Sequence, residues 1–138
     1  MATRREARER ALGLCYEAEQ RDLAAEDLLA QLPATPDAYA EALVRGVGDH
    51  RAELDALLSE FSEHWALERM PAVDRSILRI GCYELGWEPD LPEAVVVNEA
   101  VELAKQYSTK DSARFVNGML VKIAERVRPA ERSEAGEG

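Results

Sequence analysis

Apolar residues recur at helical spacing, every three or four positions, through almost the whole chain. In residues 4–20 this spacing joins Ala7, Ala11, Leu14 and Ala18 in a narrow stripe of mostly small residues. The alternating pattern of a half-buried strand is missing. The longest uninterrupted apolar stretch covers only residues 94–97, far below the roughly 20 residues of a membrane-spanning helix. The pattern therefore predicts an all-α protein and excludes a membrane-spanning one.

About six or seven helices fit this spacing. The predicted helices cover residues 4–20, residues 23–32, a segment from Pro36 that breaks near Asp49, a segment through Phe61, Pro71 to Gly86, a segment ending at Tyr107, and a segment ended by Pro129. Proline is expected at a helix start and glycine at a helix end, which sets several of these limits.

Three places depend on local chemistry rather than on spacing. Thr35 is expected to cap the third helix, with Pro36 as its first residue. The three β-branched valines at 95–97 favour a strand, yet the residues after them have helical spacing, so we predict a helix. Ser108 and Asp111 have the S-x-x-D form of a capping box at the start of the last helix.

The chain is expected to form one domain, residues 1–129, followed by an acidic tail, residues 130–138. The tail is polar and contains too little apolar surface to offset the entropy of ordering, so we expect it to be disordered. The N-terminus lacks the apolar core of a signal peptide, which predicts a cytoplasmic protein. Cys15 and Cys82 lie in separate apolar patterns and are expected to be free thiols.

The sequence offers no catalytic motif. His50 and His64 do not form a metal-binding arrangement, and neither a nucleophile elbow nor a glycine-rich phosphate loop occurs. Paired acidic residues fall on expected solvent-facing helix surfaces, where they serve solubility. We therefore expect no enzyme activity, no cofactor and no metal ion.

Charge is unevenly distributed over the chain, whose formal net charge is −10. Residues 11–70 carry four Lys and Arg against thirteen Asp and Glu, which argues against non-specific coating of nucleic acid. Cations gather at the N-terminus and in a second stretch that contains Lys105, Lys110, Arg114, Lys122, Arg126 and Arg128. Both groups can serve one polyanion-binding surface if the fold brings them together.

Arginines in the first turns of the first helix oppose the helix dipole, which suggests a role other than stability. Glu6 and Glu9 are placed to pair with neighbouring arginines at i,i+4, which leaves Arg4 and Arg8 as an unpaired cationic fork. Such a fork suits phosphate contacts with RNA. The alternative is that these arginines are solubilising charges on a frayed helix end.

Four blocks of sequence resemble the NusB family of transcription antitermination factors. They are Val73–Ile80, Tyr83–Leu85, Val97–Lys105 and Phe115–Gly118. The arginine-rich start, residues 4–9, and Trp65 are similar to the family as well, so the resemblance covers about residues 4–128. It implies two packed three-helix bundles without catalysis. It also implies binding to the boxA element of ribosomal RNA leader transcripts, together with ribosomal protein S10 (NusE), in a complex that helps RNA polymerase pass terminators.

The resemblance assigns roles by position. The implied RNA ligands are Arg4, Arg5, Arg8, Lys105, Lys110, Asp111, Arg114 and Phe115. The implied S10-binding residues are Tyr16, Asp74, Arg75, Tyr83 and Glu84. Tyr83 and Phe115 also have the spacing of core residues, and the two lysines also suit a solvated helix end. A protein-interaction module, or a homodimer through the small-residue stripe, is the alternative function.

Overall fold

A computed structural model describes residues 2–63 and 65–129, in which the chain forms seven α-helices and no strand. The helices are α1 (Arg4–Gln20), α2 (Ala25–Ala30), α3 (Ala38–Asp49), α4 (Arg51–Phe61), α5 (Ala72–Trp87), α6 (Glu93–Tyr107) and α7 (Lys110–Val127). One 3₁₀ turn, Leu67–Arg69, precedes α5. The predicted all-α class and helix number are confirmed. The predicted tail, residues 130–138, and His64 lie outside the described residues.

The helix limits follow the apolar spacing, whereas the caps do not follow the prediction. α1 has the predicted limits, and the valines at 95–97 are helical because Val96 and Val97 are buried. The Asp37 carboxylate, rather than Thr35, caps α3 by accepting the Tyr39 N–H at 3.0 Å. α5 also runs one residue past the glycine that was expected to end it.

The cap of α7 is also one residue later than predicted. Thr109 Oγ1 accepts the Ser112 N–H at 2.9 Å. The Ser108 hydroxyl instead donates to the Asp74 carboxylate on α5. Tertiary contact therefore decides which hydroxyl caps the helix.

Two groups of helices form the fold. α1, α2 and α3 pack together, α5, α6 and α7 pack together, and α1 and α4 lie against α5. The core contains buried leucines and isoleucines from both groups, such as Leu14, Leu43, Ile77 and Leu120. α5 is the central helix, because it contacts α1 and α3 of the first group as well as α6 and α7 of its own group.

An ion network connects α1 to α5 and α4. Glu19 on α1 pairs with Arg75 and Arg79 on α5, and Arg79 Nε donates to Asp55 on α4 at 2.8 Å. Arg75 also donates to the carbonyl oxygen of Met70 at 2.8 Å. Hydrogen bonds from Arg75, and then from Arg79, lower the pKa of Glu19 to about 2. The two helix groups are thus joined by charged as well as apolar contacts.

Both cysteines are free, as predicted: Cys82 is buried and Cys15 is half-buried. Burial raises the pKa of the Cys15 thiol to about 12, so it stays protonated at neutral pH. Across the described ranges, no cluster of three His, Cys, Asp or Glu side chains could hold a metal ion. Within the same ranges, no helix has the length and apolar character needed to cross a membrane.

Candidate nucleic-acid interface

The first turn of α1 is fixed by a capping box. Thr3 Oγ1 accepts the Glu6 N–H at 3.1 Å, and the Glu6 carboxylate accepts the Thr3 N–H at 3.1 Å. Glu6 thus caps the helix and is not the arginine partner that we expected. Arg4 is exposed, and its guanidinium carbon lies 3.7 Å from the centroid of the Tyr39 ring. Stacking of this kind uses the face of a guanidinium and leaves its N–H edge available for hydrogen bonds.

The predicted cationic fork of Arg4 and Arg8 is wrong, because Arg8 is buried, with 3% of its surface exposed. Arg8 Nε donates to the two carboxylate oxygens of Glu84 at 2.9 and 3.1 Å, and the Tyr39 hydroxyl donates to the same carboxylate. Burial raises the pKa of Glu84, and the hydrogen bonds from Tyr39 and Arg8 oppose that rise. The sequence prediction considered only partners four residues along the same helix, so it could not identify Glu84, which lies 76 residues from Arg8.

Two contacts hold the start of α1 against α6. Arg5 donates through Nε and Nη2 to the Glu99 carboxylate, both at 3.1 Å. The Tyr107 hydroxyl donates to Glu9 at 2.7 Å. The predicted pairing of Glu9 with an arginine at i,i+4 is therefore wrong. The same contacts bring the arginine-rich start of α1 beside the end of α6, which the sequence could not establish.

The turn between α6 and α7 carries the second group of predicted RNA ligands. Lys105 and Lys110 are exposed, and Lys105 Nζ lies 3.5 Å from Glu102. Asp111 and Arg114 are 3.9 Å apart, and 82% of the Arg114 side chain is exposed. Such long, exposed pairs contribute little to stability. These charges are accordingly available to a ligand.

Phe115 lies at the edge of this region and is half-buried. Its ring meets the exposed Trp65 ring edge-on, with centroids 5.3 Å apart. The two rings line a groove of about 380 Å³, which Arg114, Lys122, Phe61 and Met119 also border. Phe115 thus packs against the core, as its spacing predicts, and also lines the groove, while its role as an RNA ligand stays a prediction.

Only some of the predicted S10-binding residues are exposed. Tyr16 is exposed by 39%. Tyr83 is half-buried and nearly parallel to Trp87, with centroids 5.8 Å apart. Tyr83 also lies across Gly46, where a Cβ would stand 2.2 Å from its ring. The glycine on α3 therefore allows Tyr83 to pack against that helix.

The other three predicted S10-binding residues make internal contacts. Asp74 and Glu84 are buried, and Arg75 is bound to Glu19. Asp74 accepts hydrogen bonds from the hydroxyls of Ser108 and Ser112. The sequence pattern identifies the helix that carries these residues but cannot assign a partner to each side chain.

Tyr107 is a candidate that the sequence reasoning missed. It follows the buried Leu103 and Ala104 at helical spacing, which favours a core position. It is instead 46% exposed, beside Glu9. An exposed aromatic ring between two cationic regions is suited to stacking on an unpaired base.

Comparison with known proteins finds relatives of this chain in both sequence and fold. Residues 5–125 match the model of the NusB family. The transcription antitermination protein NusB of Kineococcus radiotolerans is 50% identical over 129 residues, covering 91% of this chain and 95% of that protein. A solved structure of T. maritima NusB has a TM-score of 0.83 at 36% identity and covers 96% of this chain and 98% of that one. A complex of antitermination factors NusB and NusE with double-stranded RNA has a TM-score of 0.77 at 28% identity and covers 89% and 96%.

These findings confirm the resemblance seen in the sequence. The proteins matched are transcription antitermination factors rather than enzymes. Fold and sequence agree over nearly the whole described region. The chain belongs to the NusB family.

Proposed function

We propose that this protein binds single-stranded boxA RNA of ribosomal RNA leader transcripts together with ribosomal protein S10 (NusE). The pair then joins the RNA polymerase antitermination complex in the cytoplasm and helps the polymerase pass terminators. The observation that carries the proposal is the Tyr107–Glu9 hydrogen bond, which places the α6–α7 turn beside the arginine-rich start of α1.

The RNA surface combines charge with aromatic rings. Arg4, Lys110 and Arg114 supply exposed cations for phosphates, and Tyr107 supplies a ring for a base. Asp111 is an acceptor for base amino groups, since 94% of its side chain is exposed. Together these groups suit an unpaired strand, whose bases are free to stack.

The other predicted ligands support this surface in different ways. Arg5 keeps 56% of its side chain exposed while it pairs with Glu99, and Lys105 is exposed on α6. Phe115 faces the groove beside Arg114. Arg8 is buried and supports the surface indirectly. It binds the Glu84 carboxylate, which also accepts a hydrogen bond from Tyr39, and the Tyr39 ring in turn stacks with Arg4.

A complex with S10 is supported by a similar protein. One structurally similar NusB was solved with NusE and double-stranded RNA. The acidic balance of residues 11–70 suits a basic ribosomal protein. Among the residues assigned to S10, Tyr16 is the most exposed and is our candidate for direct contact. Tyr16→Ala should weaken S10 binding without changing RNA binding in the absence of S10.

The proposal is tested by fluorescence anisotropy of a labelled boxA-like RNA, with and without S10, at two salt concentrations. The variant combines Arg4→Ala with Lys110→Ala, one change in each cationic region. Arg21→Ala is the matched control, because Arg21 is exposed at the opposite end of α1. We expect S10 to strengthen binding and the double variant to weaken it with a shallower salt dependence.

Each result has a clear meaning. An equal loss of log affinity per removed charge in the double variant and in Arg21→Ala would mean that charge alone, and not this surface, determines binding. S10 binding without any RNA binding would leave a protein-interaction module and overturn the RNA assignment.

A further inference from the structure

A buried carboxylate lies behind the turn between α6 and α7. Asp74, in the first turn of α5, is 0% exposed. Its Oδ1 accepts a hydrogen bond from Ser108 Oγ and its Oδ2 accepts one from Ser112 Oγ, both at 2.7 Å. The two serine oxygens lie 2.9 Å from each other. Each hydroxyl donates its single hydrogen to the carboxylate, so Asp74 joins the two serines into one cluster and holds their oxygens side by side.

The carboxyl group at the centre of this cluster is buried in unusual surroundings. Buried carboxylates are normally paired with cations, yet no Lys or Arg pairs with Asp74 within the described residues. Asp74 lies instead at the N-terminal end of α5 and contacts Ser112 at the N-terminal end of α7. Both helix ends carry partial positive charge, which stabilises a carboxylate. The contacts therefore fix the start of α7 relative to α5.

The turn that Asp74 holds is short. α6 ends at Tyr107 and α7 begins at Lys110, so only two residues connect them. Every predicted RNA ligand in this region lies within three residues of Ser108 or Ser112 along the chain. These ligands are Lys105, Lys110, Asp111, Arg114 and Phe115. A shift of the turn would therefore move the whole group.

We propose that Asp74 is a positioning residue for RNA binding, which acts through Ser108 and Ser112 and does not contact S10. The inference rests on the proposed function, since it assumes that the α6–α7 turn binds RNA. It differs from the role that the family resemblance implies, which places Asp74 on the S10-binding side. The difference follows from burial, because a side chain with no exposed surface is not available to a partner protein.

The experiment compares Asp74→Asn, Ser112→Ala and the double variant. RNA affinity is measured by anisotropy without S10, and S10 affinity is measured separately by calorimetry without RNA. We expect Asp74→Asn to lower RNA affinity about tenfold, and the double variant to bind no more weakly, because both changes break the same link. S10 affinity should stay at the wild-type value, which a general loss of structure would not allow.

Ile77→Val is the matched control for stability. Ile77 is buried on the same helix and belongs to the apolar core. Its truncation weakens packing without removing a hydrogen bond to the turn. RNA affinity of this variant should equal that of the wild type at a temperature where circular dichroism shows every variant folded. Ser112→Ala keeps the test decisive if Asp74→Asn does not fold.

The contrary outcomes can be told apart. Unchanged RNA affinity in Asp74→Asn, with S10 affinity lost, would overturn the inference in favour of direct S10 contact. Additive losses in the double variant would overturn the route through Ser112. Absence of RNA binding by the wild type would overturn the proposed function and this inference with it.

Discussion

Charged residues occupy two regions of the molecule with opposite surroundings. Between the helix groups, Glu19, Arg75 and Arg79 are mostly buried and closely paired. At the start of α7, Asp111 and Arg114 are almost fully exposed and 3.9 Å apart. Breaking one partner of a buried pair is costly, whereas an exposed pair contributes little to stability. The first region therefore stabilises the fold, and the second is available for binding.

The arginine-rich start of α1 contains both kinds of charge within one helical turn. Arg8 is buried against Glu84, and Arg4 is exposed over the Tyr39 ring. Identical side chains on nearly the same helix face thus have different roles, because Arg8 lies one turn further along α1, where Glu84 of α5 and Tyr39 of α3 enclose it. The comparison can be tested by substituting one member of each kind.

The largest effect is expected for Arg8→Ala. It leaves the Glu84 carboxylate buried without its cation, so the free energy of unfolding should fall by about 3 kcal/mol. Urea unfolding followed by circular dichroism measures the change. Arg4→Ala is the control and should change stability by less than about 0.5 kcal/mol. Equal losses in both variants would contradict the division between the two arginines.

Glu19→Gln should have the next largest effect. It removes the carboxylate shared by Arg75 and Arg79, although Arg79 keeps Asp55, and we expect a loss of about 2 kcal/mol in urea unfolding. Glu17→Gln is the matched control on the same helix, because Glu17 forms an exposed pair with Arg21. If the two variants unfold at the same urea concentration, the network between the helix groups does not stabilise the fold.

The Glu19 carboxylate also makes the free energy of unfolding depend on pH, in a direction that its pKa predicts. Its pKa is about 2 in the folded protein and about 4.3 in an unfolded chain. The stability that it contributes is therefore complete above the unfolded value and lost as the pH falls toward 2. The gap in unfolding free energy between the wild type and Glu19→Gln should be full at pH 6 and small near pH 2. A gap independent of pH would exclude ionised Glu19 as its source.

How much the sequence predicts depends on the range of the interaction. Helical spacing reports which face of a segment is buried, so α1 and even the valines of α6 are predicted correctly. The cap of α7 is misplaced because Ser108 bonds to Asp74, 34 residues away. Local rules of capping cannot include a competitor from another helix.

The candidate site shows the same limit more strongly. The sequence predicts that Arg4 and Arg114 are RNA ligands, and both are exposed. It makes the same prediction for Arg8, which is buried. Burial of Arg8 depends on Glu84 and Tyr39, which reach it only after the helix groups have packed. The opposite error occurs at Tyr107. Its spacing is typical of a buried core residue, but its side chain is exposed.

The smallest effect on stability is expected for Arg114→Ala, and this variant tests the binding side of the comparison. Arg114 is mostly exposed and loosely paired, so the free energy of unfolding should change by less than about 0.5 kcal/mol. Its loss should nevertheless reduce the slope of log affinity for boxA-like RNA against log salt by about 0.7, the value for one single-strand phosphate. Arg126→Ala is the control, because Arg126 lies near the other end of α7, paired with Glu60 at 2.7 Å. An unchanged slope in Arg114→Ala would show that exposure and weak pairing do not identify the RNA-binding charges of this fold.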